Sequence, residues 1–134
     1  MSLRKVEYIK DFASKIVSGE FALQAVEQLS DEEAIAALSS LKGIGRWTAE
    51  MILLFCLQRP DILSFDDLAI QRGLRMLYHH RKITRELFNK YQKRYSPYGS
   101  TAAIYLWAIS GGAIEGMQDY APAKKTVRKA MCRE

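Results

Sequence analysis

The sequence predicts an all-α domain. Apolar residues recur at three- and four-residue steps along every segment, strand-like alternation is absent, and the periodic runs end at glycine, proline or capping residues. At 134 residues the chain is long enough for one domain with a real core and too short for two. Its 49% hydrophobic and 26% charged residues fit an ordinary globular protein.

Each element follows from local pattern. Val6, Ile9, Phe12, Ala13, Ile16 and Val17 form an amphipathic stripe that Gly19 closes. Phe21, Leu23, Val26 and Leu29 give a short second helix. Ser30 followed by Glu33 is a capping box, and Asp31 and Glu32 add acid to the first turn of a helix through Leu38. Gly43 and Gly45 then make a tight turn. From Trp47 to Leu57 the residues are almost all apolar, which predicts a helix buried on most sides, followed by a loop over 58–65 with Pro60. Leu68, Ile70, Leu74 and Leu77 make the next helix, entered through Asp66 and Asp67. Thr84 is placed to cap a helix carrying Leu87, Phe88, Tyr91 and Tyr95. Pro97 and Gly99 break it, and Thr101 to Ile109 form a last helix stopped by Gly111-Gly112. The segment 113–134 is polar and ends in Lys124, Lys125, Arg128, Lys129 and Arg133, a basic helix or tail.

Composition narrows the function classes. No apolar run reaches the roughly 20 residues of a membrane span, and the start lacks the pattern of a signal peptide. Cys56 lies in the apolar run and Cys132 in the basic tail, which gives a disulfide no support, and two cysteines are too few for a four-cysteine metal cluster. A cytoplasmic protein without a cofactor is expected. Residues 1–69 carry a net charge of −4 and residues 70–134 a net charge of +9. A basic half suits a polyanion partner as well as a solvated face.

Two features carry possible chemistry. Leu41-Lys42-Gly43-Ile44-Gly45-Arg46-Trp47-Thr48-Ala49 puts two glycines one residue apart just before a helix. Such a turn exposes backbone N–H groups able to hold a phosphate, although glycines also join packed helices for purely steric reasons. The second feature is Asp66-Asp67, a carboxylate pair that reads either as helix caps or as a group for chemistry.

The glycine turn with its flanks resembles the helix-hairpin-helix of the DNA glycosylase superfamily defined by that hairpin and a following Gly/Pro-rich loop and aspartate. Residues 58–67 stand where that loop and aspartate belong, with only Pro60 of the Gly/Pro content. The likeness is greatest to the 3-methyladenine glycosylase II branch, through Asp66-Asp67 before a helix and the aromatic Tyr105-Leu106-Trp107 of the last helix. It covers residues 4–112.

The resemblance implies a monofunctional base-excision glycosylase that hydrolyses the N-glycosidic bond of alkylated purines in double-stranded DNA. Gly43, Gly45 and Thr48 stand at the positions that bind a phosphate, and Ser39, Leu41 and Ile44 at those whose carbonyls hold a monovalent cation. Asp67 matches the catalytic aspartate, which stabilises positive charge on the sugar and orients or deprotonates water. Asp66 would cap the helix or support the loop. Trp47 stands where strand-cutting members carry a lysine for Schiff-base chemistry, so it implies base release alone, with the ring lining the base pocket. Full members have more helices before the segment matching Leu3, including the other pocket wall and the wedge that replaces a flipped base. The natural protein is therefore expected to extend upstream of Met1-Ser2-Leu3.

Weaker candidates are His79-His80, read first as surface, and Tyr95, Tyr98, Tyr105 and Trp107, which suit a pocket but read first as core. Lys93, Arg94, Ser96 and Ser100 are candidate DNA contacts that read first as a solvated face. A non-catalytic helix-hairpin-helix DNA-binding module, and a helical interaction domain without nucleic acid, are the competing functions.

Overall fold

The computed structural model describes residues 2–122. Among these, seven α-helices and no strand are present: α1 (Leu3–Val17), α2 (Leu23–Val26), α3 (Asp31–Ser39), α4 (Arg46–Phe55), α5 (Leu68–Tyr78), α6 (Arg85–Tyr95) and α7 (Gly99–Ser110). Cys132 and the basic residues from Lys124 onward lie outside the described residues.

The caps read from the sequence form. Ser30 Oγ accepts the Glu33 amide while the Glu33 carboxylate accepts the Ser30 amide, so two otherwise orphaned N–H groups of α3 are satisfied at once. Thr84 caps α6 through the Leu87 amide. The Ser30 hydroxyl also holds the Glu33 carboxyl below its usual range.

The core joins α3 to α4 and α5 to α7, with Leu38, Leu53, Ile70, Leu74, Phe88 and Leu106 almost wholly buried. Gly73 sets the closeness of the second pair: a Cβ there would collide with the backbone carbonyl of Leu106 on α7. A carbonyl in a helix cannot rotate away as a side chain can, so the α5–α7 spacing depends on hydrogen at this position.

Three expectations change. Helix α4 is not buried on most sides: Ala49, Glu50, Leu53 and Leu54 are buried, whereas Trp47, Phe55 and Cys56 are exposed. A run of uniform apolarity does not reveal which face packs. Gly99 is not a break but the buried first residue of α7. The stripe of α1 forms, yet no residue of α1 is buried. That helix meets the rest through Phe12 against Phe21 and through Tyr8.

The segment after α7 returns to α5. Asp119 makes a two-pronged ion pair with Arg75 (2.7 and 2.8 Å), and Tyr120 lies against His79. Hydrogen bonding from Arg75 keeps the Asp119 carboxyl below its usual range. His79 ends α5 in the left-handed conformation and is exposed, while His80 is half-buried with Nε2 2.6 Å from the Tyr91 hydroxyl.

Gly73→Ala is expected to destabilise the fold by about 1–3 kcal/mol, read as a lower midpoint in chemical denaturation, because the added methyl forces two helices apart. An unchanged midpoint would show that α5 and α7 adjust freely.

Candidate DNA-binding and catalytic site

The glycine turn builds a bare helix start. Gly43 has φ +89°, and its Cα lies against the Tyr8 ring, so a side chain there meets both backbone strain and a collision. Gly45 is the N-cap of α4 and supplies no side-chain oxygen to the first turn. The amides of Gly43, Gly45, Arg46, Trp47 and Thr48 donate to no described residue. The free N–H groups at the start of α4 lie at the positive end of its dipole and make a candidate anion cradle. Gly43, Gly45 and Thr48 thus each carry an amide with no partner among the described residues.

The carbonyl side of the turn is also open. Those of Ser39 and Ile44 accept no hydrogen bond from a described residue, and that of Leu41 accepts one from the Ile44 amide (3.1 Å). Ser39 Oγ is buried with no partner among the described residues. Oxygen atoms of this kind suit a hard cation.

Arg46, although part of the motif, turns away from the cradle. It bonds Glu32 on α3 (2.8 and 3.2 Å) and Glu50 one turn along α4 (3.0 Å), bracing the two arms of the hairpin. Hydrogen bonding from Arg46 pulls the Glu32 carboxyl down. Glu50 goes the other way, because burial outweighs the help of Arg46. These groups line a cleft of about 500 Å³ between α3, α4, the 61–65 loop and α6.

Asp67, not Asp66, caps α5. Its Oδ1 accepts the amides of Ala69 (2.8 Å) and Ile70 (2.9 Å), and its Oδ2 accepts Nε1–H of Trp47 (2.9 Å). The residue is 7% exposed, whereas Trp47 is 48% exposed. Asp66 faces solvent with Arg85 4.0 Å away, so the cap expected of it falls to its neighbour. Adjacent residues at a helix entry differ by one step of backbone rotation, and only the second points back at the first-turn amides here.

The loop before Asp67 is stapled. The Arg59 guanidinium bonds the carbonyls of Glu27 (2.9 Å) and Leu29 (2.8 Å), and Asp61 accepts from the Gly99 amide and the Ser96 hydroxyl. Ser100 Oγ donates to the Arg59 carbonyl and accepts the Ile62 amide. Ser96 and Ser100 therefore hold this loop through their hydroxyls, where the sequence suggested a merely solvated face. Arg94 lies over the Tyr78 ring, and Lys93 stays on the exposed face.

The aromatic candidates separate. Tyr95, Tyr98 and Tyr105 line a groove of about 380 Å³ between α5, α6 and α7, whereas Trp107 stacks on Phe55 (5.6 Å, 11°). Trp47, Met51 and Phe55 recur every four residues on α4, so the Trp107 stack continues the Trp47 face. Met51 and Phe55 escaped the sequence reading; the four-residue spacing from Trp47 was their signal. Burial pushes the Tyr95 and Tyr91 hydroxyls up.

No family model matches the chain. It is 40% identical over 111 residues to DNA-3-methyladenine glycosylase 1 of Schizosaccharomyces pombe, covering 81% of this chain and 49% of that protein. The chain is homologous to part of the DNA-3-methyladenine glycosylases. Its fold matches a DNA-3-methyladenine glycosidase from Bacillus halodurans with a TM-score of 0.78 at 35% identity, over 90% of this chain and 56% of that one. It also matches the Schizosaccharomyces pombe glycosylase in complex with abasic DNA, with a TM-score of 0.70 at 39% identity, over 81% and 53% of the two chains. The chain thus spans about half the length of the glycosylases it matches. The all-α glycosylase fold expected from the hairpin is the one these structures share. No helix among the described residues is long and apolar enough to cross a membrane.

The raised Glu50 gives a signed pH effect. Folded Glu50 holds its proton more tightly than the unfolded chain, whose carboxyl titrates near 4.5. Ionised Glu50 therefore costs stability at neutral pH, and that cost disappears as pH falls toward 4.5. The stability of wild type relative to Glu50→Gln should rise as pH drops from 7 to 4.5 and then level off, measured by denaturation at each pH. A difference independent of pH would contradict the burial argument.

Proposed function

We propose that this chain is the DNA-gripping and catalytic part of a monofunctional glycosylase that hydrolyses the N-glycosidic bond of alkylated purines in duplex DNA. The observation that carries this reading is the Trp47–Asp67 hydrogen bond. Trp47 is the second residue of α4, inside the row of free amides, so the bond ties this carboxylate to the helix that carries them and supports one shared site.

The division of labour follows. A strand phosphate occupies the amides of Gly43, Gly45 and Thr48, a contact that fixes position and reads no base. Ser39, Leu41 and Ile44 offer carbonyl oxygens for a monovalent cation, which would add positive charge beside that phosphate. The sugar of the damaged nucleotide faces Asp67. As the bond between C1′ and the base nitrogen breaks, the base leaves with the electron pair and positive charge grows on the sugar. The carboxylate stabilises that charge and orients the water that adds to C1′ and loses its proton. Trp47 has no amine to form a Schiff base, so the strand stays intact. Its half-exposed ring offers a stacking surface for an electron-poor alkylated purine. The relative of this fold seen with abasic DNA supports DNA as the partner. The cytoplasmic location expected from composition belongs to the same proposal.

Incubation with methylated duplex DNA, with released bases identified by mass, tests the reading. Asp67→Asn should cut base release by about 100-fold or more, with duplex affinity retained and falling steeply with added salt. Salt-sensitive binding by a wild-type chain that releases no base would favour the non-catalytic binding module. No duplex binding at low salt would favour a helical interaction domain.

A further inference from the structure

The two oxygens of Asp67 are not equivalent. Oδ1 accepts two amides, from Ala69 and Ile70, which fills its two lone-pair sites. Oδ2 accepts only the Trp47 indole and keeps one site open. A carboxylate held by one oxygen can still turn about the Cβ–Cγ bond; a second bond, to the other oxygen and from a different element, fixes its plane. Trp47 comes from α4, 20 residues away in sequence. Trp47 is 48% exposed and Asp67 only 7%, so the carboxylate is the partner that burial obliges to find a donor. The aim of the N–H at Oδ2 therefore serves the carboxylate more than the tryptophan.

We propose that Trp47 is a positioning residue for Asp67: its indole N–H sets the carboxylate plane and directs the free lone pair of Oδ2 at the reacting sugar and water. This role is separate from stacking by the ring, and it rests on the reading of Asp67 as the group that meets the sugar. Oδ1 belongs to the helix; Oδ2 is the oxygen that acts. The hairpin thus controls the chemistry as well as the grip, because the residue that orients the carboxylate lies in the first turn of the hairpin's second helix.

Trp47→Phe separates the two roles, since it keeps a flat ring and removes the donor. It should lower kcat for base release about tenfold or more while leaving KM close to wild type, as befits the loss of one charge-assisted hydrogen bond. Trp47→Ala should damage both parameters. A spectroscopic readout needs no turnover. The chain has two tryptophans, hence two indole N–H signals in a ¹H–¹⁵N spectrum, and Trp47→Phe identifies one. Asp67→Ala should shift the Trp47 signal and speed its hydrogen exchange far more than it does for Trp107; Asp67→Asn, which keeps an oxygen acceptor, should shift it less. A Trp47 signal indifferent to both variants, or a Trp47→Phe protein with wild-type kcat, overturns the proposal. A shifted signal in a protein that releases no base keeps the pairing but removes the catalytic reading beneath it, and the positioning role falls with that reading.

Discussion

The Asp67 carboxylate joins three parts of the molecule through three hydrogen bonds. Two go to the first-turn amides of α5, and one comes from the indole at the start of α4. The negative charge sits at the positive end of the α5 dipole, where a carboxylate is favoured. The same charge fixes the end of the 56–67 loop, the entry of α5 and the Trp47 ring. Remove the carboxylate, and the loop, the helix start and the aromatic wall lose their common anchor.

That anchor works because the loop leading to it is immobilised by polar staples in place of the glycines and prolines that the family pattern suggests. Arg59 reaches back to the carbonyls around α2, while Asp61 and Ser100 bind the entry to α7. Charged and bidentate contacts of this kind restrict a loop without a special backbone conformation at each step. On the other side, Arg46 braces α3 against α4. The cradle and the carboxylate therefore belong to two separately braced units that meet at Trp47. Preorganised dipoles of this kind stabilise developing charge without rearranging during the reaction.

What could be read from the chain was local. The capping box at Ser30, the Thr84 cap, the glycine hairpin and the all-α class depend on residues within a few positions of one another, and each appears in the structure. The choice between Asp66 and Asp67 as helix cap was not local enough: both are acidic, and only backbone direction separates them. The apolar run of α4 gave no sign that Trp47 and Phe55 remain exposed, because periodicity is silent when every position is apolar. Ser96 and Ser100 looked like surface polar residues because their partners, Asp61, Arg59 and Ile62, lie 35 or more positions away. Long-range polar contacts leave no periodic trace.

The central claim is that a fixed carboxylate beside the hairpin cradle meets positive charge on the sugar. The most direct measurement is the affinity of the chain for two duplexes, one with a neutral tetrahydrofuran abasic site and one with a cationic pyrrolidine in the same place. Asp67 should make the cationic site bind more tightly, in line with complementarity to the charged transition state. Asp67→Asn should erase that preference while leaving the neutral duplex bound as before. Equal affinity of the wild-type chain for the two duplexes would contradict the account.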